Sequence, residues 1–166
     1  MKRVLLFIVC ALALASSAFA QTKLSGSVDC DKADPMHAIP VPDRPDFAYV
    51  IGQNKCSWPK GGAVEGLQAK ELVNTTFYEV AGASARITTH GVTRYDNGDM
   101  LFTRVTGSND RKALTSTGKW TVTGGTGKLR TAKGGGTFTC KTKSAEAGAG
   151  YTCDIVGEYT LPAKSN

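Results

Sequence analysis

Residues 119–143 read Lys119-Trp120-Thr121-Val122-Thr123, then Gly124-Gly125-Thr126-Gly127-Lys128-Leu129-Arg130-Thr131-Ala132-Lys133-Gly134-Gly135-Gly136, then Thr137-Phe138-Thr139-Cys140-Lys141-Thr142-Lys143. Six of the thirteen residues from Gly124 to Gly136 are glycine. That density would ruin a helix interior, and it suits strands that must turn, bulge or bend around a small barrel. The flanking threonines, Trp120, Val122 and Phe138 are residues that favour a pleated, half-buried surface.

Outward from this stretch the chain is threonine-rich and β-branched from Asn74 onward. The pattern predicts strands over 75–80, 85–95, 100–106, 117–123, 129–132, 137–142 and 151–161, with an earlier one over 47–58, about eight in all. Asp96-Asn97-Gly98-Asp99 is a strong hairpin signal, because Asn-Gly tolerates the positive φ angles of a tight reversed turn. In the last strand Tyr151, Cys153, Ile155, Gly157, Tyr159 and Leu161 share one face, whereas Thr152, Asp154, Glu158 and Thr160 fall on the other. One face is buried and the other is wet, so eight such antiparallel strands form either a sandwich or a closed barrel. Residues 65–73 are the one helix-compatible stretch, anchored by Leu67 and Leu72. Residues 21–46 read as an irregular arm interrupted by Pro35, Pro40, Pro42 and Pro45.

The first twenty residues give a cellular address. Lys2 and Arg3 precede an apolar run from Val4 to Ala15, and Ala18-Phe19-Ala20 follows as a small-residue cleavage site before Gln21. This is the pattern of a secretory signal peptide, too short for a membrane span of about 20 residues. Domain organisation is therefore a leader at 1–20, an arm at 21–46 and a barrel at 47–166, and the expected location is secreted or periplasmic. Cys10 leaves with the leader. Four cysteines remain, an even number that in an exported chain argues for two disulfides. Cys140 and Cys153 flank one predicted hairpin and share apolar parity, so they are paired together, and Cys30 with Cys56 tethers the arm. No Cys-x-x-Cys or clustered histidine pattern asks for zinc.

The processed chain carries 18 lysines and arginines against 14 acidic residues, a net charge of about +4. The positives are dispersed apart from a group around the glycine-rich hairpin, and no aromatic run accompanies them for base stacking, so nucleic acid is not an expected partner. Gly124 to Leu129 lacks the spacing of a phosphate-binding loop. Asp29, Asp31 and Asp34 have calcium-like spacing but no central glycine or closing glutamate, and no metal or cofactor is expected.

The run from Trp120 to Phe138 resembles the glycine-rich hairpin of the allene oxide cyclase and dirigent-type barrels, in which a Gly-Gly-Thr-Gly turn leads into a strand, a basic residue and a further glycine pair. The Asn97-Gly98-Asp99 hairpin and the closing Gly157-Glu158-Tyr159 are similar to a group of exported proteins with that barrel. The resemblance implies an all-β, eight-stranded antiparallel barrel with a central cavity, often assembled as a trimer. It also implies chemistry in which a cavity holds a reactive molecule in one shape, either epoxide cyclisation or stereoguided coupling of phenoxy radicals.

Candidate binding residues follow from strand parity. Arg86, His90 and Arg94 share one face of a predicted strand with Thr88, and Arg104 lies on a neighbour. Facing inward, this group would bind a carboxylate or serve as acid or base, whereas facing outward it is an ordinary solvated surface. The opposite face carries Ile87 and Tyr95 but also Thr89, Gly91 and Thr93, so parity alone leaves the choice open. With two histidines and no nucleophile elbow, no Ser-His-Asp set can be assembled. Asn74-Thr75-Thr76 is a glycosylation acceptor sequence in a eukaryotic secretory pathway. The sequence reading is an exported barrel that binds a small hydrophobic molecule. Its alternatives are a cavity isomerase or cyclase and a filled barrel acting only as a structural or surface-interaction module.

Overall fold

The computed structural model describes residues 21–161, so the leader expected at 1–20, with Cys10 and the expected cleavage site, lies outside the described residues. The strands are β1 (Thr22–Cys30), β2 (Met36–Pro40), β3 (Phe47–Lys60), β4 (Ala69–Ala81), β5 (Ser84–Tyr95), β6 (Met100–Asp110), β7 (Thr115–Gly125), β8 (Lys133–Thr142) and β9 (Tyr151–Thr160). From β3 to β9 each strand pairs antiparallel with the next, and β1 pairs with both β9 and β3. The ring β1 and β3–β9 is a closed eight-stranded barrel, and β2 adds a short edge alongside β3.

The barrel thus begins at Thr22, not at Phe47. Leu24, Gly26, Val28 and Cys30 alternate inward, and β1 pairs with β9 along its whole length, from Thr22↔Tyr159 to Cys30↔Tyr151. The four prolines all follow β1, and Pro40 sits at the end of the edge strand β2, where a missing ladder donor costs little. The arm is therefore one barrel strand plus one edge strand. Cys30–Cys56 and Cys140–Cys153 both form, each joining directly opposite residues of an antiparallel pair.

Two further expectations differ. Residues 65–73 are not a helix: Val64 and Leu67 form a bridged turn, Gly66 has φ +77, and β4 starts at Ala69. Leu67 and Leu72 serve different elements. Residues 129–132 are not a strand either, because Gly127 at φ +50 starts a 3-10 turn (Gly127–Leu129) that drives Leu129 inward to 0% exposure. Leu129, Leu67, Val64, Tyr95, Leu101 and Tyr159 pack into one apolar cluster that plugs this end of the barrel. The Asn97-Gly98 hairpin forms as read, with Gly98 at φ +86 and its N–H donating to the Tyr95 carbonyl.

Opposed glycines let two aromatic rings lie on the inner wall. Gly107 and Gly118 are partners across β6–β7, and a Cβ at Gly118 would lie 2.7 Å from the Phe138 ring. Gly136 and Gly157 are partners across β8–β9, and a Cβ at Gly157 would lie 2.6 Å from the Trp120 ring. The glycines therefore serve close approach of rings to backbone as much as turning.

Candidate functional site

Strand alternation decides which side chains face inward. On β5, Ala85, Ile87, Thr89, Gly91, Thr93 and Tyr95 are buried, whereas Arg86, His90 and Arg94 are exposed. Arg104 on β6 is exposed too, directly across from His90. The cationic group singled out from sequence therefore sits on the outer wall and does not line the interior. Arg86 makes a 3.2 Å ion pair with Glu79 at the surface, an arrangement worth little in stability because water screens it.

The opposite faces enclose a cavity of about 810 Å³. The apolar cluster around Leu129 plugs one end of the barrel, and the cavity reaches the opposite end between the Gly82 and Leu114 turns, β2 and the Ser144–Ala149 loop. Its apolar wall includes Val28, Leu72, Ile87, Trp120, Phe138 and Ile155. The Cys140–Cys153 disulfide is part of the same wall. The charged residues that line it are Asp46, Arg111 and Glu146, all exposed and carried by the loops at the mouth.

Inside, the polar groups are hydroxyls and amides. Asn74, Thr76 and Tyr78 share the inward parity of β4 with Leu72 and Val80. The Thr76 and Thr89 hydroxyls are 2.9 Å apart across β4–β5, and Asn74 Nδ2 donates to the Tyr151 hydroxyl at 3.2 Å. Asn74 thus spends its amide inside the barrel, which removes it as a glycosylation acceptor in the folded protein. Asn54, 2% exposed, donates to the Asp31 carbonyl at 2.7 Å and ties the loop after β1 to β3. The indole N–H of Trp58 is buried without a partner among the described residues, a cost of about 1–3 kcal/mol.

Burial governs the phenols. It pushes Tyr151 up to about 12, with the neighbouring Tyr78 adding to the rise and the Asn74 hydrogen bond opposing it. It raises Tyr78 as well, with a hydrogen bond between Thr76 and the phenol opposing the rise. In the plugged end it takes Tyr95 to about 12, with Tyr159 contributing. All three are neutral hydroxyls at physiological pH. A phenol whose pKa is higher in the folded than in the unfolded chain gives stability that is complete below the unfolded value and lost as pH rises through the folded one. Stability against urea is therefore expected to hold level through neutral pH and to fall between pH 10, the ordinary tyrosine value, and about 12. Phenolate absorbance measured alongside should lag behind free tyrosine, and full ionisation at pH 10 in the folded state would contradict this.

Outside the cavity, Asp29 is held below the usual carboxylate range by hydrogen bonds from Lys143, at 2.8 Å, and Thr152. Asp29 is thereby engaged at the β1–β9 edge. Asp29, Asp31 and Asp34 form no metal site, and among the described residues no cluster of three or more metal-ligating side chains forms.

No protein-family model and no curated protein matches the sequence. Among solved structures, the pterocarpan synthase dirigent protein GePTS1 superposes with a TM-score of 0.50 at 14% identity, covering 89% of this chain and 88% of that one. The fold is that of a dirigent-type barrel. A second pterocarpan synthase dirigent protein, PsPTS1, gives a TM-score of 0.47 at 15% identity over 88% of this chain and 97% of its own. A conserved protein of unknown function from Rhodopseudomonas palustris gives 0.48 at 7% identity over 84% and 98%. The dirigent-like barrel supplies a cavity framework, and the side chains that line it are this chain's own.

The inner residues that the sequence reading missed are Tyr78, Thr76, Thr89 and Asn74. The parity of β9 placed Tyr151 on the inner face, with Cys153 and Ile155. Strand parity from Leu72 through Val80 carries the signal for the β4 residues, since 72, 74, 76, 78 and 80 all face inward.

Proposed function

We propose that the protein is an exported carrier that shelters one small apolar molecule inside its barrel. The observation that supports this most is the cavity of about 810 Å³, apolar along most of its wall, plugged at one end and reaching the surface at the other. That volume lies within the range of small-molecule sites, roughly 300–1,000 Å³. Export is supported by the leader pattern at 1–20 and by two disulfides, which persist in oxidising compartments. Among the described residues no helix is long and apolar enough to cross a membrane.

Self-association is part of the same reading. Ile39, Tyr49, Ile51 and Phe77 are exposed together on the outer wall of β2–β4, with Tyr49 stacked on Phe77. A homo-oligomer, trimeric by the sequence resemblance, would cover such a patch.

A second reading, a cavity that templates a ring-forming or isomerising reaction, draws on the fold shared with a pterocarpan synthase. Inside this barrel such a reaction would be directed by shape, because the acidic lining residues Asp46 and Glu146 sit at the mouth. The carrier reading is tested by titrating folded protein with Nile red, a neutral apolar dye. Saturable binding near one dye per barrel, with a blue shift and a rise in unfolding temperature, is expected. Fluorescence no greater than that given by a filled β-protein of equal size would overturn it.

A further inference from the structure

Hydrogen-bond accounting inside the cavity points to a ligand class. Each hydroxyl has one proton to donate and two lone pairs to accept with. The Thr76 and Thr89 hydroxyls sit 2.9 Å apart across β4–β5, and either can donate to the other. On the other side Asn74 Nδ2 donates to the Tyr151 oxygen at 3.2 Å. The Tyr151 phenol therefore accepts a hydrogen bond and keeps its own proton to give. Receiving a bond polarises an O–H and strengthens the one it gives.

Tyr78 and Tyr151 both line the cavity. Among the described residues that line the cavity, Arg111 is the one cation; it is exposed at the mouth, and its guanidinium already donates to the Gly82 carbonyl at 2.8 Å. An anion at that depth would lose its hydration with no compensating charge, whereas a neutral oxygen would gain donors that the apolar wall cannot otherwise offer.

We propose, building on the carrier reading, that Tyr78 and Tyr151 form a paired donor site that selects uncharged ligands bearing an acceptor oxygen, such as a ketone or ester carbonyl, on an apolar frame. Asn74 is a positioning residue that turns the Tyr151 proton toward the cavity. The site discriminates against carboxylates of the same shape.

The test uses three probes of one skeleton, 2-acetylnaphthalene, 2-ethylnaphthalene and 2-naphthoate, titrated by calorimetry into the oxidised protein and into Y78F, Y151F and the double variant. Phenylalanine keeps the ring packing, and near-ultraviolet circular dichroism verifies the fold of each variant. In the wild type the ketone is expected to bind about tenfold more tightly than the hydrocarbon, the effect of one to two net hydrogen bonds. The carboxylate should bind most weakly. In the double variant the ketone's advantage should vanish while hydrocarbon affinity stays within about twofold. Failure of all three probes to bind the wild type would overturn the carrier reading itself. Hydrocarbon binding with no ketone advantage, an advantage that survives in the double variant, or naphthoate binding as tightly as the ketone would leave the carrier reading standing and overturn the paired-donor site.

Discussion

Replacing Cys30 and Cys56 together by alanine is expected to lower unfolding free energy by about 3 kcal/mol and to open the barrel along one seam. The barrel closes where β1 meets β3, and that contact is short: Ser27↔Lys60, Asp29↔Ser57 and Cys30↔Cys56, with a register shift between the first two. The neighbouring β3–β4 ladder runs without interruption from Phe47↔Ala81 to Cys56↔Leu72. The Cys30–Cys56 bond spans 26 residues and sits at the end of the weak contact, with Cys30 fully buried against Val28 and Leu72. The Cys140–Cys153 bond spans 13 residues within the continuous β8–β9 ladder. Chain entropy alone separates the two bonds by only about 0.6 kcal/mol, so the difference should be one of place. Amide exchange after the Cys30/Cys56 change should release β1 and the end of β3 first, whereas the Cys140/Cys153 change should leave that seam protected. Equal loss of β1–β3 protection in both variants would contradict a closure that depends on this bond.

Trp120→Ala should cost about 3–5 kcal/mol, the range for removing a large buried aromatic. The ring is 8% exposed, lies against Gly157 and donates from its indole nitrogen to the Val156 carbonyl at 3.2 Å. Its removal loses that bond and enlarges the cavity, and β8 and β9 can collapse into the space only by leaving the Gly136–Gly157 register. Urea unfolding with a two-state fit measures the loss. A change below about 1 kcal/mol would mean that the wall behind Trp120 is not closely packed.

What the sequence made legible was local. The Asn97-Gly98 turn, the alternation of β9 and the Cys140–Cys153 hairpin each depend on residues close in the chain, and each formed as read. The misreadings came where a residue's role depends on distant strands. The proline density of 35–45 was extended over 21–30, which contains no proline and pairs with β9 from the far end of the chain. Leu67 and Leu72 suggested a helical face but belong to the end plug and to the β4 wall. Parity left the inner face of β5 open because the partner of its Thr89 lies on another strand, in Thr76 of β4. The same reason hid the cavity phenols, since Tyr78 and Tyr151 lie 73 residues apart and line one cavity only when the barrel closes.

The central claim, an exported barrel that holds one neutral small molecule, is tested most directly by native mass spectrometry of the protein secreted into an oxidising compartment. The expected species is a chain beginning at Gln21, four hydrogens lighter than its reduced form, carrying an extra small-molecule mass that is released on denaturation. A bare particle without retained mass, purified without detergent or organic solvent, would contradict it.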